Sequence, residues 1–393
     1  MRFEKPFTQQ EPIPEDAIAR ALDILKSGRL HRYNTVSGEI GEASCLEREY
    51  ADWQGSDYCL ATASGGQALQ IALRAAGVSS GSLVLANAYT LAPVPGAIFA
   101  VGGQPLLIEV NADWHTDLDD LRAKAENSGA RFLMLSHMRG HIADMDAIVR
   151  ICDEFQITMI EDCAHTMGAR WNGIRSGNFG EIACFSTQTY KHMNSGEGGF
   201  LTTNNPKIAA RAIILSGSYM IYGTHGAAPS EEIFRKVRLD TPNCSARMDN
   251  LRAAILRPQL TRLEENVRRW NERYRILETG IKQAPNITIA ERKQHEDYVG
   301  SSIQFHLNVT EPDSILKFMQ RCLERGVELK WFGGKEPTGF TSRYDSWKYL
   351  NNPGVLPKTI EVLSTTLDMR IPLTFSTQDC HDIAEIIVDE STP

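Results

Sequence analysis

The stretch Glu161–Gly199, EDCAHTMGARWNGIRSGNFGEIACFSTQTYKHMNSGEGG, decides the reading of this chain. An apolar run, Ile157 to Ile160, ends in the acidic pair Glu161-Asp162, and His165 follows one step further along. A second apolar run, Ile182 to Phe185, ends in Ser186, and Lys191 and the glycine-rich turn Ser195–Gly199 come next. Short apolar runs that each end in polar residues before a turn are the mark of buried parallel strands, whose carboxyl ends carry functional groups.

Each residue alone has a plainer reading. A strand-end Asp commonly caps a helix or binds a metal, and a single Lys is usually a solvated charge. Together, a carboxylate and a lysine at the ends of neighbouring strands are what pyridoxal 5'-phosphate chemistry requires. The amine forms a Schiff base with the aldehyde, and the carboxylate keeps the pyridine nitrogen protonated so that the ring draws electrons. Lys191 and Asp162 are therefore the expected catalytic pair.

Working outward, strand-like runs at Cys59–Ala63, Leu83–Ala86, Pro105–Val110, Phe132–Ser136, Ile157–Ile160, Ile182–Phe185 and Gly199–Thr203 alternate with amphipathic stretches. Alternating βα units predict a mostly parallel sheet covered by helices. From Met248 to about Gly280 apolar residues recur at helical spacing, with an interruption near Pro258. Beyond it, strand-like runs (Ser301–Leu307, Val327–Trp331, Met369–Ile371) and helical ones (Ser314–Glu324, Thr377–Val388) predict a smaller α+β unit. The expected division is 1–250 and 251–393, with about thirty N-terminal residues free to pack on the smaller part.

Composition narrows the class. The chain has 393 residues, 42% apolar and 23% charged, with a formal net charge of −8. That balance argues against a general binder of nucleic acid or anionic membranes. No apolar run approaches the ~18 residues of a membrane span, and the first residues, MRFEKPFTQQEPIPEDAI, lack the apolar core of a signal peptide. Eight cysteines occur without a C-x-x-C pair, which reads as reduced thiols. A cytoplasmic protein is expected, with Cys163 and Cys184 as small core fillers.

The decisive stretch resembles the DegT/DnrJ/StrS family of pyridoxal-phosphate enzymes, mostly sugar aminotransferases of fold type I. Further motifs extend the resemblance over nearly the whole chain: Gly28-Arg-Leu-His-Arg-Tyr33, Tyr58 to Leu69, Asn87-Ala-Tyr-Thr90, His137-Met-Arg-Gly140 with Asp144-Met-Asp146, Arg247 to Ala254, and Arg370-Ile-Pro-Leu373. The resemblance implies a large domain with a mostly parallel seven-stranded sheet, a small C-terminal α+β domain, and a homodimer whose subunits share each active site. It implies a ping-pong transfer from Glu or Gln through pyridoxamine phosphate to a keto group of a sugar, cyclitol or related metabolite.

It also implies site roles. Gly65, Gly66 and Gln67, opening a helix after a strand, suit a phosphate, and Ser186 resembles a second phosphate contact. His165 stands where the family hydrogen-bonds the cofactor's phenolic oxygen, although a helix-start histidine is an equal reading. The chain departs from the family where Gly66 replaces a threonine, and where Leu91 replaces the aromatic residue that stacks on the ring. A partner-supplied asparagine is missing at Ser245, and Asn243 is the nearest substitute. Arg139, where relatives carry an aromatic residue, and His141 either meet an anionic substrate group or serve as polar loop residues. These departures sustain a second reading, a pyridoxal-phosphate enzyme of elimination, dehydration or cyclisation, whereas retention of Lys191 favours amino transfer.

Overall fold

The computed structural model describes residues 2–36, 38–309, 311–350 and 353–391. All seven apolar runs form strands of one sheet: β1 (Tyr58–Thr62), β2 (Leu83–Asn87), β3 (Gln104–Ile108), β4 (Phe132–Ser136), β5 (Thr158–Asp162), β6 (Ile182–Ser186) and β7 (Gly199–Thr203). Their order is β1-β7-β6-β5-β4-β2-β3. β7 runs antiparallel to both neighbours, and the other pairings are parallel.

The runs are continuously apolar because both faces of the sheet are covered. Alternate residues serve opposite faces. Met134 and Ile160 join the cluster under helices Gly65–Ala76 and Pro206–Ser216, while Leu133, Leu135 and Met159 pack with Ile148 and Ile151 on the other side. The same alternation separates the acidic pair. Glu161 turns into the protein, where it accepts the N–H groups of Gly177, Phe179 and Gly180 at 2.9, 2.8 and 2.7 Å and meets His137 Nε2 at 3.0 Å. Asp162 emerges at the carboxyl edge.

The long helical pattern resolves into two helices, Asn250–Leu260 and Leu263–Ile281. Pro258 lacks the N–H that would continue the ladder, and the chain turns a few residues later, where Thr261 Oγ1 and Arg262 Nη1 both donate to its carbonyl. Beyond the second helix lies a four-stranded antiparallel sheet in the order Ile287–Thr288, Ser302–Leu307, Thr366–Arg370, Lys330–Trp331.

We propose to keep the division at about residue 250, with two crossings. The N-terminus packs on the smaller unit, Phe3 and Phe7 lying edge-on to Phe375 with centroids 5.0 and 4.9 Å away. Tyr344, Trp347, Leu350 and Leu356 return to the core of the large sheet. No helix among the described residues is long and apolar enough to cross a membrane.

One buried ion pair ties the N-terminal region to the sheet. Arg32 is 2% exposed and grips both oxygens of the fully buried Glu47 at 2.7 Å. Glu47 also accepts the Ala61 N–H of β1 at 2.8 Å and lies 3.2 Å from His225. Burial would raise this carboxyl, yet Arg32 and His225 hold it down at about 2. Truncating the arginine leaves an uncompensated buried charge. Arg32→Ala should therefore cost about 3–5 kcal/mol in urea unfolding, and pairing Arg32→Met with Glu47→Leu should recover most of it.

Candidate active site

At the carboxyl edge of the large sheet, facing the small sheet, is a cavity of about 500 Å3. Gly65, Gly66, Leu91, Asp162, His165, Ser186 and Lys191 all line it. Seven of the nine expected site residues thus meet at one place.

Asp162 is oriented by a relay from two neighbouring strand ends. Ser136 Oγ, at the end of β4, donates to Asp162 Oδ2 at 2.9 Å, and Thr90 Oγ1 donates to Ser136 Oγ at 2.9 Å. Asn87 fixes Ser136 in turn, accepting its N–H at 2.8 Å. The Ala164 N–H reaches the other oxygen, Oδ1, at 3.2 Å. A carboxylate held by a hydroxyl on one oxygen and a backbone N–H on the other cannot swing away from the cavity, which is the positioning a buried charge partner needs.

Lys191 follows β6 on a turn, and its Nζ lies 2.7 Å from His165 Nε2. The Arg139 N–H donates to His165 Nδ1 at 3.3 Å, so a neutral ring carries its proton on Nε2 and the lysine amine is the acceptor. The electrostatics agree. Burial, with Lys191 and Arg139 nearby, holds the His165 ring well below the usual histidine range. Burial, reinforced by Arg139 and opposed by Asp162, brings Lys191 down to about 7. A lysine with that value is half free amine at neutral pH and can act as nucleophile or base.

Opposite this pair is a cradle of backbone. Ser64 caps the helix Gly65–Ala76, its Oγ accepting the Gln67 N–H at 3.1 Å. Gln67 has therefore spent its amide on the cap and is not among the cavity-lining residues. The amides of Gly65 and Gly66 open the helix and have no intrahelical acceptor. Gly65 is packed so tightly that a Cβ there would lie 2.8 Å from Ser186 Cβ, and one on Gly199 would lie 2.7 Å from the Gly65 nitrogen. At Gly66 the nearest atom to an added Cβ is 3.8 Å away, so the position tolerates a side chain.

Leu91 faces the cavity, whereas Tyr89 turns into the core against Phe332, centroids 5.1 Å apart. Asn243 is exposed and lies outside the cavity lining. Cys163 and Cys184 are buried, and burial pushes both thiols well up.

Sequence reasoning missed the Thr90–Ser136 relay and the cavity-lining Tyr190 and Arg370, whereas Arg139, read as a substrate contact or a polar loop residue, lines the cavity and pairs with Asp368. The signal for the relay was present, since Ser136 ends an apolar run beside Asp162. The convergence of residues 139, 190 and 370 depends on tertiary folding and had no local signal.

A profile of the DegT/DnrJ/EryC1/StrS aminotransferase family matches residues 12–388. The chain belongs to that family. It is similar, at 33% identity over 66% of its length and 62% of the relative's, to dTDP-3-amino-3,4,6-trideoxy-alpha-D-glucose transaminase of Streptomyces venezuelae. It is 30% identical to 3-amino-5-hydroxybenzoate synthase of Amycolatopsis mediterranei (strain S699), over 60% of this chain and 59% of that one. The matched stretch thus spans about three-fifths of the length of these curated relatives. The crystal structure of 3-amino-5-hydroxybenzoic acid (AHBA) synthase superposes with a TM-score of 0.84 at 23% identity, covering 99% of both chains. That likeness establishes the shared fold, fold type I with its large mostly parallel sheet.

Two expectations follow from this geometry. Gly65→Ala and Gly199→Ala should each destabilise the protein by about 1–3 kcal/mol through overpacking, while Gly66→Ala leaves the melting temperature nearly unchanged; thermal melts of the three variants decide this. Acylation of the protein by acetic anhydride, followed by peptide mapping, should label Lys191 with a midpoint near pH 7. Exposed lysines should follow a midpoint about three units higher.

Proposed function

We propose that this protein is a pyridoxal 5'-phosphate-dependent aminotransferase. It moves an amino group from glutamate or glutamine to a keto group of a sugar, cyclitol or related biosynthetic metabolite. The observation that carries the reading is the meeting of Lys191, His165 and the relay-held Asp162 in one cavity of a chain that belongs to this family.

The residues present fit the cofactor. The free amides of Gly65 and Gly66 and the hydroxyl of Ser186 suit its phosphate, and the contacts at Gly65 exclude any side chain that would fill this cradle. Asp162 suits the ring nitrogen, His165 the phenolic oxygen, and Leu91 a ring face. Lys191 supplies the amine that carries the aldehyde. When bound, the pyridoxal ring provides an electron sink for charge developing on the substrate carbon.

The chain's own groups do the rest. Lys191, once free, would take the proton from the substrate carbon and hand it to the carbon on the other side of the C–N bond instead of giving it back, a task suited to an amine that titrates near neutrality. His165 holds that amine in place through its Nε2–H. Thr90 and Ser136 keep the Asp162 carboxylate aimed into the cavity.

A homodimer with shared sites belongs to the proposal. Met220 and Leu239 are 60% and 83% exposed on the stretch that leads to Asn243, an apolar surface suited to a second copy. Ser245, with φ 51°, turns the chain outward beside Arg247, whose Nη1 donates to the Gly217 carbonyl at 2.8 Å. Asn243, exposed two residues before Ser245, is the residue assigned to the partner's cavity in this reading. All eight cysteines are free thiols, which supports a cytoplasmic location. Small molecules are the expected partners, without nucleic acid or membrane.

The test is the visible spectrum of the purified protein with cofactor, before and after glutamate or glutamine, beside Lys191→Ala. The expected result is a visible band that bleaches with donor and is altered in the variant. A band indifferent to every amino donor would favour elimination or cyclisation chemistry, and the absence of any band would sink the cofactor assignment.

A further inference from the structure

Arg139 is held in a backbone conformation that its residue type does not favour. It lies in the left-handed region at φ 55° and ψ 24°, in the loop after β4, and its side chain is buried with the guanidinium 5.9 Å from the centre of the Phe332 ring. A side chain in that region crowds its own backbone, which is why glycine, asparagine and aspartate are the usual occupants. Such a turn persists only where the surroundings over-determine it.

The surroundings here come from the small sheet. Asp368 Oδ2 lies 2.9 Å from Arg139 Nη2. The other oxygen, Oδ1, accepts from Gln304 Nε2 at 2.7 Å, across the paired strands Ser302–Leu307 and Thr366–Arg370. Gln304 cannot turn over, because its Oε1 faces His141 Nε2 at 2.7 Å. Burial holds the His141 ring well below the usual histidine range, so the ring is neutral and its Nε2 donates to the amide oxygen. All four members of this series, His141, Gln304, Asp368 and Arg139, are buried. The series begins and ends in one loop of the large sheet and passes through two strands of the small sheet in between.

From Arg139 two influences reach Lys191. One is the turn itself, which aims the Arg139 N–H at His165 Nδ1 at 3.3 Å, while His165 Nε2 lies 2.7 Å from the lysine Nζ. The other is charge. Around the amine stand Asp162 from the end of β5, His165 from the loop that follows, His192 next in sequence, Arg139, and Arg370 from the small sheet. Burial first, and Arg139 next, lower the proton affinity of the amine. A carboxylate at 2.9 Å makes that cation one half of a pair with a weaker net field, whereas a bare guanidinium would act on the lysine in full.

We propose that the Arg139–Asp368 ion pair is a positioning device for the amine of Lys191: the carboxylate brought by the small sheet seats Arg139 in its turn, and the turn sets the contact of His165 with the lysine. The part this plays in the reaction rests on the aminotransferase reading, while the coupling is a property of the chain itself. Asp368, Gln304 and His141 are not among the cavity-lining residues and act through Arg139.

The test is the pH midpoint for acetylation of Lys191 in the full chain freed of cofactor, read by peptide mapping. It is measured in the wild type, Asp368→Asn, Arg139→Gln and the double variant. Asp368→Asn keeps the shape of the side chain and an acceptor for Gln304, and removes only the charge. From a wild-type midpoint near pH 7, the expected result is a fall of roughly half a unit or more in Asp368→Asn and a rise of similar size in Arg139→Gln. An unpaired buried carboxyl takes up a proton, so adding Asp368→Asn to Arg139→Gln should leave the midpoint where Arg139→Gln put it.

A pair that serves only the scaffold would leave every folded variant at the wild-type midpoint, and that result overturns the proposal. A difference between Arg139→Gln and the double variant also overturns it, because Asp368 would then reach the lysine without Arg139. If Asp368→Asn does not fold, these two variants decide alone, since neither holds an unpaired cation at this place: both above the wild type and equal supports the proposal, and any other result sinks it. The visible band of the cofactor-loaded wild type reports separately on the aminotransferase reading; its absence would remove that reading and leave the acetylation result standing.

Discussion

The site depends on a carboxylate that never reaches it. Glu161 has no exposure, and it gathers three backbone N–H groups from the loop before β6 together with His137. Those bonds fix where the loop ends and hence where β6 enters the sheet beside β5. The neighbouring residue, on the opposite face, is Asp162. Register along a strand has period two, so seating Glu161 inward dictates that Asp162 points outward, level with Cys184 on β6 and two residues short of Ser186. The inward-facing and the cavity-lining members of the pair are coupled by the pleat.

A second theme is the selective pairing of buried charge. Arg32 with Glu47 and Arg139 with Asp368 are matched within the chain, each with further hydrogen bonds. Lys191 is deprived of such a partner: it contacts a neutral imidazole, and burial dominates its titration. A paired lysine would be a poor nucleophile, because an adjacent carboxylate favours its protonated form. Arg32 and Arg139 are thus matched by carboxylates, whereas the cavity-lining lysine is not.

Much of this was legible in the sequence. Both sheet-forming halves of the pattern were visible because buried parallel strands are uninterrupted apolar runs, and Asp162, Ser186 and Lys191 stand at or just beyond their ends. Lys330–Trp331 was less legible, since the run from Val327 contributes only two residues to the sheet. The helix Pro357–Thr365 gave no clear apolar period and went unnoticed, although Thr359 Oγ1 and its N–H both reach Glu109. Gln67 looked like a phosphate contact because helix starts offer amides, but the competing acceptor, Ser64 Oγ, lies three residues earlier and takes that amide. Arg370 was visible only as the first residue of the Arg370-Ile-Pro-Leu373 motif; its stacking on Tyr190, 180 residues away in the chain, comes from tertiary folding.

The crossing of Tyr344, Trp347, Leu350 and Leu356 into the large core bears on how the molecule comes apart. Apolar side chains from the C-terminal part fill space under the large sheet, and Phe3 and Phe7 from the other terminus fill space against Phe375 in the small one. Neither core is complete without chain borrowed from the far end of the sequence. Cutting the protein near residue 250 would leave each fragment with a breach in its interior, so the two halves are expected to melt in a single cooperative transition.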